Sequence, residues 1–148
     1  MRTWLILIVL IATGGMVAAQ NPVQWQFSAT KLKDKMYEVH ITAVITEPWS
    51  IYSQATPDGG PVPTTISFSK NPLVVPVGKV KEQGTLKKKF EEVFDVDVLY
   101  YKNKVDFVQV VTLRNSVKTN LTGEVEFMAC NDQQCLPPKT VTFSIALN

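Results

Sequence analysis

The stretch that decides the fold is MYEVHITAVI, which occupies residues 36–45. Its apolar and polar side chains alternate with a period of two, which is typical of a β-strand that buries one face. Similar alternation recurs in the runs 105–113, 125–129 and 141–147. Clusters of turn-forming Pro, Gly, Asn and Ser separate these runs. The sequence therefore predicts an all-β fold, an immunoglobulin-like antiparallel β-sandwich.

One segment fits two descriptions. Leu86, Phe90, Val93 and Phe94 are spaced at i, i+4, i+7 and i+8, which is a helical spacing. Residues 93–99 also alternate in the manner of a strand. We interpret the segment as a loop or short helical turn that enters a strand.

Residues 1–19 have the features of a secretory signal peptide. Arg2 precedes an apolar run, residues 4–12, that is short for a membrane-spanning helix, and small residues at 17–19 match a cleavage site. A retained membrane anchor is the alternative interpretation. If the peptide is removed, the mature chain is residues 20–148, a single exported domain without a membrane span and long enough to bury a core.

Composition excludes several classes of function. The chain carries 15 basic and 13 acidic residues, so its net charge predicts no binding of nucleic acid or of a membrane surface. Any Ser-His-Asp or Cys-His nucleophile would need the single histidine, His40, which falls on the polar face of its strand, where an exposed residue is expected. A blue-copper site needs two histidines. We predict neither a cofactor nor a resident metal.

The two cysteines, Cys130 and Cys135, carry the most informative chemistry. In an exported protein such a pair is oxidised unless electrons are delivered to it, and two cysteines allow one intramolecular pairing. Residues opposed at a non-hydrogen-bonded position of a hairpin are close enough to be bridged. A bridge closing so short a loop contributes only about 2 kcal/mol in the chain-entropy model, so its placement indicates chemistry.

The residues around the cysteines indicate thiol–disulfide exchange activated by a partner. Pro137 and Pro138 stiffen the chain after Cys135 and keep the returning strand's first residues out of the ladder. The bridge is then rigid and accessible at the end of a sheet, which suits attack by an incoming thiolate. No Lys, Arg or His lies within three residues of either cysteine, and Asp132 lies between them. Because nothing nearby favours a thiolate, we expect the partner to activate the exchange.

The element CNDQQCLPP, residues 130–138, lies between two strands of an exported sandwich. It resembles the N-terminal periplasmic domain of the DsbD family of protein-disulfide reductases, with a similarity that covers residues 24–147. The resemblance implies a periplasmic location and a redox pair, Cys130 and Cys135, in which Cys135 forms the mixed disulfides. This chain has four residues between the cysteines, where the best-known members have five.

The resemblance also implies partners. The family's N-terminal domain takes electrons from a thioredoxin-like domain and passes them to periplasmic disulfide isomerases and to the cytochrome c maturation thioredoxin. Family members usually continue into membrane helices and a C-terminal thioredoxin domain. Because this sequence ends at Asn148, we expect the thioredoxin-like electron donor to be a separate protein.

Further site residues follow from the same resemblance. The family covers its cysteines with a cap loop whose phenylalanine shields the sulfurs, and this position corresponds to Phe94. Glu92 corresponds to an acidic position of the cap. Tyr52 corresponds to a tyrosine beside the cysteines, and Ser50 stands where another tyrosine is usual.

Two alternatives stay open at this point. One is a non-enzymatic secreted β-sandwich that binds a protein or glycan and has an inert hairpin disulfide. Its surface aromatic residues would be Trp25, Trp49, Tyr100 and Tyr101. The other is capture of a soft metal by Met128 and the reduced cysteines.

Overall fold

The computed structural model describes residues 21–148, which form eleven β-strands. In chain order the strands are β1 (Val23–Lys33), β2 (Met36–Ile45), β3 (Ser50–Tyr52), β4 (Thr65–Phe68), β5 (Val74–Gly84), β6 (Lys87–Glu91), β7 (Val96–Tyr101), β8 (Lys104–Leu113), β9 (Thr119–Phe127), β10 (Ala129–Cys130) and β11 (Lys139–Leu147). The predicted signal peptide, residues 1–19, lies outside the described residues. Within residues 21–148, no helix has the length and apolar character needed to cross a membrane.

The strands pair into three antiparallel sheets. Sheet A has the order β1-β2-β8-β5, sheet B the order β10-β3-β7-β6, and sheet C the order β11-β9-β4. The predicted strand at residues 36–45 is β2, an interior strand of sheet A that pairs with β1 on one side and β8 on the other. The predicted all-β, immunoglobulin-like antiparallel sandwich is confirmed.

Side chains from all three sheets share one hydrophobic core. Ile41 on β2 and Phe107 on β8 are completely buried, and both belong to the alternating apolar positions that the sequence showed. Sheet C contributes Leu147 and Phe143 from β11. The rings of Phe27 and Phe143 stack with their centroids 5.2 Å apart, which joins β1 to β11.

The hairpin formed by β6 and β7 differs from the prediction. The expected loop or short helical turn is wrong for residues 87–91, because they form strand β6, which pairs antiparallel with β7. Leu86 and Phe90 are 49 % and 57 % exposed, so their helical spacing does not mark a buried stripe. A turn at residues 92–95 closes the hairpin, and Asp95 there has a φ of 55°.

Glu82 on β5 joins sheet A to sheet B through three hydrogen bonds. Its Oε2 accepts from the hydroxyl of Ser53 at 2.7 Å and from that of Tyr101 at 2.8 Å. Its Oε1 accepts from the backbone N–H of Gln54 at 2.7 Å. Burial raises the pKa of the Tyr101 hydroxyl, and the hydrogen bond to Glu82 raises it further. Since hydrogen bonds to an ionised acceptor are the stronger ones, Glu82 fixes the loop after β3 against β5.

Replacing Glu82 by Gln should lower the free energy of unfolding by about 2 kcal/mol. Both carboxylate oxygens of Glu82 accept hydrogen bonds. In the Gln variant an NH₂ group replaces one of these oxygens and cannot accept, so a donor that it faces loses its partner. Urea unfolding at neutral pH measures this change. Glu124→Gln, an exposed acid on β9, is the control and should change the stability by less than about 0.5 kcal/mol. Equal stability of the two variants would show that Glu82 does not join the sheets.

Candidate active site

Cys130 and Cys135 form a disulfide, and the two residues differ in exposure. The sulfur atoms lie 2.03 Å apart and the Cα atoms 4.0 Å apart. Cys130 is only 3 % exposed, whereas Cys135 is exposed. A thiolate that approaches from solvent therefore meets Cys135 first.

The loop between the cysteines is held by the side chain of Asn131. Its Oδ1 accepts hydrogen bonds from the backbone N–H groups of Gln133 at 2.9 Å and Gln134 at 2.8 Å. The Asn131 N–H donates to the carbonyl of Gln134 at 2.9 Å. Asn stabilises tight turns by such hydrogen bonds from its side chain to the backbone. The loop between the cysteines is therefore held by hydrogen bonds among its own residues.

The two cysteines oppose each other as an antiparallel bridge. Beyond them, the N–H of Leu136 donates to the carbonyl of Ala129 at 2.9 Å. Together with the bond inside the loop, this pattern makes Cys130 and Cys135 a non-hydrogen-bonded pair, the arrangement in which Cα atoms approach most closely. The predicted position of the bridge is confirmed.

Strand β10 carries the buried cysteine into sheet B. Cys130 pairs with Ser50 of β3, and the Ser50 hydroxyl donates to the Cys130 carbonyl at 3.1 Å. The ladder between β9 and β11 begins on β11 only at Lys139, directly after Pro137 and Pro138, as predicted. The sequence predicted that the cysteines lie at the tip of a hairpin. The structure shows in addition that they lie at the edge of sheet B.

A cavity of about 250 Å³ lies beside the disulfide. Its lining residues are Tyr52 of β3, Glu91, Val93 and Phe94 of the β6–β7 hairpin, and residues 130–135. The turn of the hairpin and the disulfide thus share one cavity.

The structure brings Tyr52 and Phe94 to this cavity but not Glu92. Phe94 is 38 % exposed and lies in the turn that faces the cysteines. Tyr52 is buried and belongs to a small apolar cluster with Val98 and Cys130. Glu92 is exposed, and the cavity is lined instead by its neighbour Glu91.

Glu91 and Val93 are the cavity residues that the sequence analysis missed. Without a strand assignment for residues 87–91, no face could be given to Glu91. Alternation along β6 places Lys89 and Glu91 on one face and Lys88 and Phe90 on the other. This period of two is the signal that could have identified Glu91.

The cavity is acidic. Burial, followed by the negative charge of Glu91 and by the neighbouring Tyr100, raises the pKa of Tyr52 to about 12. Asp132, in the loop between the cysteines, adds a second carboxylate to the cavity lining.

His40 lies in sheet A, whereas the cysteines lie in sheet B. Its Nδ1 is 2.7 Å from Oδ2 of Asp106, and the hydroxyl of Thr42 donates to Oδ1 of Asp106 at 2.9 Å. The imidazole is partly buried rather than exposed as expected, and it does not line the cysteine cavity. In the part of the chain that the structure describes, no three His, Cys, Asp or Glu side chains are grouped to hold a metal ion.

The aromatic surface expected for a binding module is not formed. Trp49 and Tyr101 are buried, and Trp25 and Tyr100 are half-buried. The rings of Trp25 and Phe127 lie with their centroids 5.2 Å apart, so Trp25 packs towards the core. The expectation of exposure is wrong for Trp49 and Tyr101, because both side chains fill the shared core.

Two solved structures have a fold similar to that of this chain. The crystal structure of the reduced N-terminal domain of DsbD from Neisseria meningitidis is similar with a TM-score of 0.58 and 16 % identity, over 86 % of each chain. The N-terminal periplasmic domain of ScsB from Proteus mirabilis has a TM-score of 0.52 and 14 % identity, over 84 % of this chain and 44 % of that chain. At these identities the likeness shows the fold alone.

Sequence comparisons give the family. Comparison with curated proteins gives no match. The family model described as "Thiol:disulfide interchange protein DsbD, N-terminal" matches residues 17–147. Because this match spans most of the sequence and includes both cysteines, the chain belongs to the DsbD N-terminal domain family.

Proposed function

We propose that this chain is a periplasmic thiol–disulfide exchange domain, which relays electrons from a thioredoxin-like donor to oxidised partner proteins through Cys130 and Cys135. The observation that carries the proposal is the asymmetry of the pair, because Cys135 is exposed while Cys130 is buried beside a cavity. A bridge that served stability alone would need neither an exposed cysteine nor a cavity. Membership of the family supports the same function.

The reducing half of the relay begins with the reduced pair. The thiolate of Cys135 attacks one sulfur of the partner's disulfide, so that this bond breaks, a mixed disulfide forms and the partner's other sulfur leaves as a thiolate. The thiolate of Cys130 then attacks the Cys135 sulfur. This step breaks the mixed disulfide, releases the partner as a dithiol once its sulfurs are protonated, and closes the Cys130–Cys135 bond. Two electrons pass to the partner.

The return half needs a dithiol donor. A thiolate of the thioredoxin-like donor attacks the exposed Cys135 sulfur, and Cys130 leaves as a thiolate. The donor's second thiolate then attacks the donor sulfur that is bonded to Cys135. This step closes the donor's disulfide and releases Cys135 as a thiolate, so that the Cys130–Cys135 pair is reduced. The acceptors that fit the family are a periplasmic disulfide isomerase and the cytochrome c maturation thioredoxin. Neither half requires a cofactor.

Two aromatic residues and one acid have distinct roles in this proposal. Phe94 lines the cavity from the hairpin turn and shields the sulfurs between exchange events. Tyr52 packs against Cys130 and keeps its sulfur out of solvent. Glu92, exposed on the same turn, contacts the partner rather than the sulfurs.

Replacing each cysteine in turn separates the two sulfur roles. With an oxidised thioredoxin-like partner, reduced Cys130→Ala should accumulate a mixed disulfide, because Cys135 attacks and nothing resolves the product. Cys135→Ala should form none. Non-reducing gel electrophoresis and mass spectrometry detect the adduct. Both variants should stay folded, since loss of the short bridge costs about 2 kcal/mol. Equal behaviour of the two variants would contradict the assigned roles.

The reduction potential of the bridge distinguishes an exchange-active pair from an inert one. We expect a value well above about −300 mV, the range of exchange-active rather than structural disulfides. Equilibration in glutathione or dithiothreitol buffers, followed by alkylation and mass spectrometry, gives the value. A potential below that limit, together with resistance to a thioredoxin-like donor, would identify an inert hairpin disulfide and rule out the relay.

Replacing Phe94 by Ala should make the disulfide more reactive, because it removes the ring that lines the cavity beside it. We expect dithiothreitol to reduce the bridge about two- to tenfold faster, in line with the dependence of exchange on access to the sulfur. The matched control is Phe90→Ala, which removes the same ring from the opposite face of the same hairpin. If both variants are reduced at the rate of the unmodified protein, Phe94 does not shield the sulfurs.

A further inference from the structure

We infer that Lys89 is a positioning residue for the Cys130–Cys135 pair, because it holds the carboxylate of Glu91 and offsets its negative charge in the cavity that both cysteines line. The inference rests on the proposed function, and it assigns to Lys89 control over how readily Cys135 forms a thiolate. Lys89 is not a cavity-lining residue, so it acts through Glu91.

Lys89 is held between two groups that adjoin the site. Its Nζ lies 2.8 Å from Oε2 of Glu91 and 5.6 Å from the centroid of the Tyr100 ring. Tyr100 packs against the cluster of Tyr52, Val98 and Cys130. The ammonium group is therefore fixed by an ion pair on one side and a cation–π contact on the other.

The titratable groups that line the cavity, apart from the cysteines, are Glu91 on β6, Tyr52 on β3 and Asp132 in the cysteine loop. Lys89 on β6 pairs with Glu91 and lies over Tyr100 of β7, which adjoins the site. Glu92 and Asp95 in the hairpin turn do not line the cavity. Lys87 shares the face of Lys89, but it lines a separate groove with Lys102 and Lys104. The charge of Glu91 reaches into the site, since it contributes to the raised pKa of Tyr52.

The sign of the effect follows from the charge of the thiolate. A carboxylate beside Cys135 disfavours the negative thiolate and raises the pKa of its thiol, whereas an ammonium group lowers that pKa. Lys89 offsets Glu91 in this balance. Without Lys89, Glu91 would act alone and also lose the contact that fixes its side chain. A smaller fraction of Cys135 would then be thiolate at neutral pH, and exchange would slow.

The chain offers a matched control in the adjacent residue. Lys88 faces the opposite side of β6, and its Nζ forms an ion pair with Oδ2 of Asp97 at 2.7 Å. Neither residue of this pair lines the cysteine cavity. Lys88→Met and Lys89→Met therefore remove the same charge and one ion pair each from the same strand.

The experiment measures the rate at which iodoacetamide alkylates Cys135 in the reduced full chain, as a function of pH, with mass spectrometry to identify the cysteine. Lys89→Met should move the pH midpoint upwards and slow alkylation about two- to fivefold at neutral pH, the size expected for a partly exposed ion pair. Lys89→Arg should restore the profile. Glu91→Gln, added to Lys89→Met, should return the midpoint close to that of the unmodified protein. Lys88→Met should leave it unchanged.

An unchanged midpoint in Lys89→Met, or an equal shift in Lys88→Met, would overturn the inference. Failure of Glu91→Gln to reverse the shift would also overturn it, because Lys89 would then not act through Glu91. Alkylation needs no protein partner, so this result is independent of the exchange assay. Absence of mixed disulfides with a thioredoxin-like partner would instead reject the proposed function.

Discussion

The pairing of Cys130 with Ser50 is the constraint on which the site depends. Strand β10 is only two residues long, yet it transfers the chain from sheet C to sheet B. Cys130 has β3 on one side and Cys135 on the other, so its side chain is enclosed by neighbours. Cys135 lies outside the strands at the sheet edge and stays exposed. The difference between the two cysteines is therefore a consequence of backbone pairing, since both have uncharged residues as immediate neighbours in sequence.

The order of sheet B also explains why the β6–β7 hairpin reaches the disulfide. Strand β3 pairs with β10 on one edge and with β7 on the other, where Tyr52 is opposite Tyr100. Strand β3 is therefore the shared neighbour of β10, which holds Cys130, and of β7 in the hairpin. Glu91 at the end of β6 and Phe94 in the turn line the same cavity as the cysteines. One hairpin thus brings an aromatic ring and an acidic charge to the cavity. Its strand β6 buries no face of its own and is held by pairing with β7, which buries Val98 and Tyr101.

The long strands could be predicted from the sequence because each buries one face. In β2 and β11 the apolar side chains enter the core at every second position, which makes the period visible. Strand β6 buries no face, as the 57 % exposure of Phe90 shows, so accidental helical spacing obscured it. Strand β10 could not be predicted either, because its partner Ser50 is 80 residues away. The cysteines were found from their spacing, whereas choosing Glu91 over Glu92 required the register of β6.

The placement of the bridge outside the main core means that the domain can stay folded when the bridge is opened. Burial of one large apolar side chain contributes about 1.5 to 3 kcal/mol, and the shared core contains many such side chains from all three sheets. The bridge contributes about 2 kcal/mol, because the loop that it closes is short. Opening the bridge therefore lowers the free energy of unfolding by about as much as the exposure of one large apolar side chain would. The loop also keeps the hydrogen bonds that Asn131 makes within it. A long bridge across the sandwich would stabilise the fold more, but each reduction would then weaken the scaffold that positions the sulfurs.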